Sequence, residues 1–404
     1  MHREGMCYHR RRFLRQAGSA ALAAPLAAQA LGHAPLGRHG LRAAEAAAPG
    51  PVDVGIARGG TMEDAVRHAV ELSGGLDFIQ PGQSVLIKPN VTGGGTYPTT
   101  TNPEVLYAVI KLVNERGPRR ILVGDRSFSP LFIRDPELAL TAPKTVDVMK
   151  RVGHIDAIEQ AKSDCQAPVV ACGFEDPRAE FEALGMPADT PHWRKLRPEL
   201  ATHWPDGFEL AELLFAVDHV INVPVIKTHF QAWFTMSMKA FVGMSHHRTR
   251  REFHSSLGGS ETNDLFNQRA AGSRRRRGEE GRRQEIEEVT PFVNRISELN
   301  LGIRPALNIL DGTRSFVFGG PSQGDTVDPK VVVASRDRIA ADATGVALLK
   351  RYGTEFRLQR ASVWDNPFIR HAIDIGLGID SLEKLNLKHT GMDDDIEQVR
   401  EMLV

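Results

Sequence analysis

Five short runs of apolar, largely β-branched residues recur along the chain, and each stops abruptly at polar residues. They are Val85–Ile87 before Lys88-Pro89-Asn90, Ile121–Val123 before Asp125-Arg126-Ser127, Val220–Ile226 before Lys227-Thr228-His229, Leu307–Leu310 before Asp311, and Val331–Ala334 before Ser335 and Asp337. None alternates apolar with polar. A strand apolar on every side chain meets water on neither face, which is the signature of a parallel sheet covered by helices on both sides. Between the runs lie segments of helical period, such as Val105, Leu106, Val109, Leu112 and Val113. The predicted fold is therefore α/β, a mostly parallel sheet with helices on both faces and with surface insertions. With 404 residues, 41% hydrophobic, the chain can bury a large core.

The first 50 residues do not follow this grammar. Arg10-Arg11-x-Phe13-Leu14-Arg15 precedes an alanine-rich apolar run and the small-residue site Ala28-Gln29-Ala30, with a second at Ala46-Ala47-Ala48. A basic region, a short apolar stretch and small residues form an export signal, and the arginine pair has the twin-arginine spacing. Residues 1–30, or as far as 48, are expected to be that signal. Residues 31–50 are expected to be a disordered linker and 51–404 the core. The implied partner is the twin-arginine export machinery, and the implied location is periplasmic or otherwise extracytoplasmic. The apolar run is too short for a stable membrane span.

The 50 basic and 50 acidic residues balance, so no global field argues for nucleic acid. An Arg-rich stretch at 258–284 mixes arginine with glutamate and interleaves no aromatic for stacking, so it reads as a solvated insertion. Residues 173–207, rich in proline and charge, read as an excursion over the surface. Cys165 and Cys172 remain after the signal and could pair in an oxidising compartment. No C-x-x-C spacing exists, so no Cys-ligated iron–sulfur cluster is expected.

In a parallel sheet ligands bind beyond the carboxyl ends of the strands. Lys88, Asn90, Asp125, Lys227, Thr228, His229 and Asp311, together with Ser335 and Asp337, should then converge on one crevice. Lys88 and Lys227 would hold an anion, His229 would act as acid or base, and Asp125 and Asp311 would orient the ligand or bind a divalent metal, the alternative occupant. Thr101 and Asn102 open a helix, with Asn102 as N-cap and Pro103 at the first position, and free N–H groups there suit an anion. His229, His246, His247 and His254 fall in one span but lack H-x-x-x-H spacing, so no metal ligand is assigned. The expected catalytic set is Lys227, His229 and Asp125.

The blocks "VLIKPN", "TTNPEV", "INVPVIKTH", "MKAFVG", "ILDG" and "VVVASRD-RIAAD", in that order between Val85 and Lys350, resemble the domain of unknown function family 362. Lys239 and Gly243 fit the block that follows Lys-Thr-His, and Ala240 stands where asparagine is usual. The resemblance implies the fold and the site's location, adds Lys239 to the ligand-binding candidates, and leaves the reaction open. Some members carry ferredoxin-like cysteine motifs, which this chain lacks. Two readings follow: an enzyme acting on an anionic small molecule, and a non-catalytic extracytoplasmic protein that binds a ligand or matures a cofactor.

Overall fold

A computed structural model describes residues 51–127, 144–255 and 290–404. The expected export signal and the Arg-rich stretch at 258–284 lie outside the described residues.

Among the described residues fourteen strands form in chain order: β1 Val52–Arg58, β2 Ser84–Pro89, β3 Arg120–Asp125, β4 Val169–Gly173, β5 Trp193–Leu196, β6 Phe208–Ala211, β7 His219–Val223, β8 Lys227–His229, β9 Trp233–Thr235, β10 Leu307–Gly312, β11 Ser315–Gly319, β12 Gly324–Val327, β13 Val331–Ser335 and β14 Leu385–Thr390. Eight make one sheet in the order β14-β1-β13-β10-β7-β2-β3-β4, and the others pair as β5-β6, β8-β9 and β11-β12. The α/β expectation holds. Alternate residues of each strand feed two cores, one per face. Leu86, Leu122, Val220 and Leu310 enter one core. Val85, Ile87, Ile121, Val123, Ile221 and Ile309 enter the other, beneath the helices Met62–Leu72 and Pro103–Asn114. The period-2 alternation of side chains explains why such strands must be apolar throughout. The helix Arg338–Arg351 is buried from Arg338 to Lys350, as a helix packed on all sides must be.

Three details differ from the sequence reading. First, β13 runs antiparallel to both β1 and β10. Only the β11-β12 hairpin lies between β10 and β13, with no helix to carry the chain back for a parallel crossover. Ser335 therefore pairs with Asn308 at the start of β10, so Ser335 and Asp337 sit at the edge opposite the other strand ends. Asp337 caps the helix there, accepting from Ile339 N (2.8 Å) and Ala340 N (2.8 Å). Second, the run from Val220 to His229 is two strands. Pro224 cannot donate to the ladder. The chain leaves the sheet, holds the end of β10 through Ile226 N to Asp311 O (2.8 Å) and Asp311 N to Pro224 O (2.8 Å), and enters the β8-β9 hairpin. Third, 173–207 is no loose excursion: Phe181, Leu196, Trp204 and, in the adjoining β6, Phe208 are buried in the main core. Cys165 and Cys172 are free thiols, so the expected disulfide is not seen.

Candidate functional site

The carboxyl ends of β2, β3 and β10, with β8 and the short helix Ser237–Ala240, bring charged side chains together at one edge. At the end of β2, Lys88 is 1% exposed and its Nζ lies 3.0 Å from Asp125 Oδ1 at the end of β3. It also donates to Pro89 O (2.9 Å). Asp125 accepts from Val91 N (2.9 Å) and Arg126 N (2.8 Å). Burial pushes the Lys88 ammonium pKa down and the Asp125 carboxyl up, and each partner pulls the other back.

This pair presses against Gly243, where a Cβ would lie 2.1 Å from Asp125 Oδ1 and 2.7 Å from Lys88 Nζ. Gly243 is the glycine of the "MKAFVG" block, and only a residue without a side chain allows the approach.

Lys227 is fully buried. Its Nζ donates to Thr99 O and to Pro321 O (2.9 Å), joining the loop after β2, which carries Gly93, Gly94 and Gly95, to the turn between β11 and β12. Desolvation, then repulsion from Lys239, lowers its pKa to about 7 against the pull of Asp311. Lys239 is partly exposed. Among the described residues its ammonium makes no hydrogen bond or ion pair, and its one close partner is the Phe292 ring, 5.8 Å to the centroid. Desolvation, then repulsion from Arg250 and Lys88, lowers its pKa to about 7 as well.

The helix that carries Lys239 starts on Asp342, whose carboxylate accepts from Ser237 N (2.7 Å) and Met238 N (3.1 Å). Burial raises the Asp342 carboxyl to about 7 despite those bonds.

Two arginines complete the cationic wall. Arg250 is 1% exposed and donates to Ser127 O (3.2 Å) and Arg126 O (2.8 Å). Desolvation, with repulsion from Arg126, lowers its pKa to about 9. Arg126 is 9% exposed and lies over the Trp193 ring at 5.2 Å. Among the described residues its guanidinium makes no hydrogen bond or ion pair, and its Nε is buried without a partner. Five buried or half-buried cations thus face two buried carboxylates, Asp125 and Asp311.

The remaining candidates are placed as follows. Asp311 occupies the helix N-terminus expected to receive a ligand, accepting from Asn102 N (2.8 Å), Thr313 N (3.0 Å) and Thr313 Oγ1 (2.7 Å). Asn102 is the expected N-cap, its Oδ1 accepting from Glu104 N. Thr101 Oγ1 donates to Val223 O (2.7 Å) and accepts from Asn90 N (2.8 Å), so it clasps β2 to β7. The buried Asn90 side-chain amide makes no hydrogen bond among the described residues. Thr228 Oγ1 donates to Phe316 O (3.2 Å) and holds the hairpin. His229 Nδ1 accepts from Gln231 N and Ala232 N, both 3.1 Å, so this nitrogen carries no proton and caps the β8-β9 turn. Its ring stacks on Phe230. His246 pairs with Glu209 (3.1 Å) and packs against His247. Desolvation and the neighbouring His247 and arginines hold its pKa near 3.

Sequence reasoning missed Arg126, Arg250 and Asp342 as members of the site. Arg126 was visible as a strand-end residue. Arg250 is one of three arginines in "HRTRREF", and nothing local separates it from Arg248 and Arg251. Asp342 stands in the "RIAAD" block but meets its partners 105 residues earlier in the chain.

The sequence matches the family described as Domain of unknown function (DUF362) over residues 85–347, which takes in β3 to β13 and every residue of the cationic edge. The chain belongs to this family. It is also similar to the thylakoid-associated protein sll1697 of Synechocystis sp. (strain PCC 6803), 24% identical over 286 residues, which cover 70% of this chain and 68% of that protein. Among the described residues no helix is long and apolar enough to cross a membrane.

Proposed function

We propose that the protein is exported and binds an anionic small molecule at the carboxyl ends of its parallel strands, between Lys239, Lys227, Lys88 and the arginines Arg126 and Arg250. One observation carries the reading: two cations in this cluster, Lys239 and Arg126, have no acceptor or ion-pair partner among the described residues. Buried charges are ordinarily paired. An anion between them would supply the missing acceptors and relieve the repulsion that lowers the lysine pKa values. The free Asn90 amide adds a neutral polar contact. Amines that titrate near pH 7 are able to give and take a proton, so the chemistry within reach is proton transfer on the bound anion. The alternative is a protein that carries the ligand unchanged. Export is supported by the Arg10-Arg11 signal and fits the relative's description as thylakoid-associated.

The test is a melting panel of inorganic phosphate, small mono- and dicarboxylates and nucleotides, followed by calorimetry in two buffers of different ionisation enthalpy. At least one anion should raise the melting temperature, because only the folded state assembles the site. Binding at pH 7.5 should take up protons, as Lys227 and Lys239 recover their charge. Lys239→Gln should abolish the response and leave the free protein folded. No response from the whole panel, or an unchanged response in Lys239→Gln, defeats the reading. Chemical change in the bound anion separates the enzyme from the carrier. For export, replacing Arg10 and Arg11 by lysine should leave the precursor in the cytoplasm; normal processing of that variant removes the signal from the account.

A further inference from the structure

Away from the cationic edge, two histidines converge on one buried carboxylate. His203 lies in the segment between β5 and β6, Glu298 on the helix at 290–299, and His371 on the helix Pro367–Asp374. Glu298 Oε1 is 2.6 Å from His203 Nδ1 and 3.2 Å from His371 Nε2. The three candidate ligand atoms all lie within 4.8 Å of one another. The imidazole rings stand 5.4 Å apart at 88°, so they approach the carboxylate from different directions.

We propose that His203 Nδ1, His371 Nε2 and Glu298 Oε1 form a site for a divalent transition metal of the zinc class. Two imidazole nitrogens and one carboxylate oxygen are a donor set that such ions accept, with the fourth position open.

The surroundings fit ligation in three ways. The Glu298 side chain is fully buried, and its second oxygen is fixed by His203 N (2.9 Å), so Oε1 faces the imidazoles, with a longer bond from Thr202 Oγ1 (3.3 Å). The His203 and His371 side chains are 32% and 18% exposed, so the site opens to solvent on the histidine side, where an ion and a fourth ligand can enter. The other ring nitrogen of His203 already has a neighbour: Asn294 Nδ2 lies 3.4 Å from Nε2, and with its amide turned over Asn294 would accept from Nε2–H through its oxygen. An outer hydrogen bond of that kind fixes the tautomer that leaves Nδ1 free to ligate.

Without metal, protons on Nδ1 of His203 and Nε2 of His371 satisfy Glu298. For an ion to bind, each of those protons would pass through solvent to the other nitrogen of its ring, with no net proton loss, and the Glu298 carboxylate would bind the ion. The three ligands come from three separate stretches of chain, so the ion would fasten the β5-β6 segment to two core helices.

The experiment uses the full mature chain, stripped with chelator and titrated with Co2+. A single tight site should appear as visible d–d bands of four- or five-coordinate cobalt, bleached by Zn2+. His203→Gln and His371→Gln should each weaken Co2+ binding by more than about 100-fold, beyond what loss of an outer hydrogen bond costs. Lys239→Gln should bind Co2+ as the unmutated chain does, which keeps this site independent of the anion site. Both histidines are partly exposed, so at least one variant is expected to fold, and its far-ultraviolet spectrum checks that. Absence of d–d bands, or bands that persist in both histidine variants, would show a hydrogen-bonded triad only and overturn the proposal.

Discussion

The two edges of the main sheet carry the same kinds of residue and use them in opposite ways. At the edge where β13 ends, Asp337 is half-buried and its carboxylate is saturated by the backbone N–H groups of Ile339, Ala340 and Ile379. At the edge where β2, β3 and β10 end, Asp311 is saturated in the same manner, but the cations around it are not. Lys88 has Asp125, Lys227 and Arg250 have carbonyls, and Lys239 and Arg126 have no acceptor among the described residues. A strand-end charge is thus no sign of a site in itself. What distinguishes a site from a cap is whether the protein has already met the charge.

The largest effect should come from breaking the one ion pair in the cationic cluster. Asp125→Ala leaves Lys88 buried with only a carbonyl, and Gly243 packed on both permits no rearrangement. Loss of one partner of such a pair costs about 3–5 kcal/mol. The double variant Lys88→Met with Asp125→Leu removes both charges and should regain most of that in urea denaturation. If the double variant is as unstable as the single, the pair matters through its backbone bonds to Val91 and Arg126 and not through its charge. The cationic edge would then resemble the Asp337 edge more than proposed.

A second, smaller effect separates unmet charge from met charge by pH. Lys227 and Lys239 have folded pKa values near 7, below the ordinary 10.5. Between those values the unfolded chain binds more protons than the folded one, so stability rises with pH from about 7 towards about 10.5. The upper limit is about 1.4 kcal/mol per pH unit for each lysine. Lys239→Gln should flatten that slope and be more stable than the unmutated chain at pH 7 without anion, with the difference closing towards pH 10. It should also let the Lys227 pKa rise, since one source of repulsion is gone. Urea titrations at pH 7, 8 and 9 measure the slope. An unchanged slope in Lys239→Gln would mean that its ammonium is solvated and that the two edges differ less than their contacts suggest.

Much of the fold was legible because burial on both faces leaves its mark in composition: Val85–Ile87 and Ile121–Val123 can be little else than central strands. The reversal of β13 was not read. Its signal was present, since the 18 residues that separate Gly312 from Val331 carry the turn signals Gly319-Gly320-Pro321 and Asp328-Pro329 and no helical period, so no crossover helix stands between the two strands. For the site, strand ends located Lys88, Asp125, Lys227 and Asp311. Which charge meets which partner could not be read, because that depends on contacts such as Lys227 with Pro321, 94 residues apart, and Asp342 with Ser237. His229 shows the limit most directly. A histidine at a strand end suggests acid–base chemistry, yet its Nδ1 is taken by two amides of the turn that follows it. The triad of His203, Glu298 and His371 escaped for the same reason, since its members are 95 and 73 residues apart and share no motif.

The smallest expected effect is at the saturated edge, and it is the control for the others. Asp337→Ala removes the acceptor for three amides, two at the start of the helix Arg338–Arg351 and one at Ile379. Cap deletions of this kind cost about 0.5–2 kcal/mol. Burial raises the Asp337 carboxyl pKa even though Ala340, Ile379 and Ile339 hold the charged form. A folded pKa above the unfolded one means stability that is present at low pH and lost as pH climbs through the folded value. The part of the loss due to the charge should therefore appear as pH rises above the ordinary carboxyl value, in the opposite direction to the lysine slope. Asn at 337 keeps an acceptor for the amides without the charge and should recover part of the stability while losing that pH dependence. Neither variant should alter the melting response to anions, because the helix start lies at the far edge from Lys239. A weakened anion response in Asp337→Asn would tie the two edges together through the helix that bears Asp342, and the division between met and unmet charge would have to be redrawn along that helix.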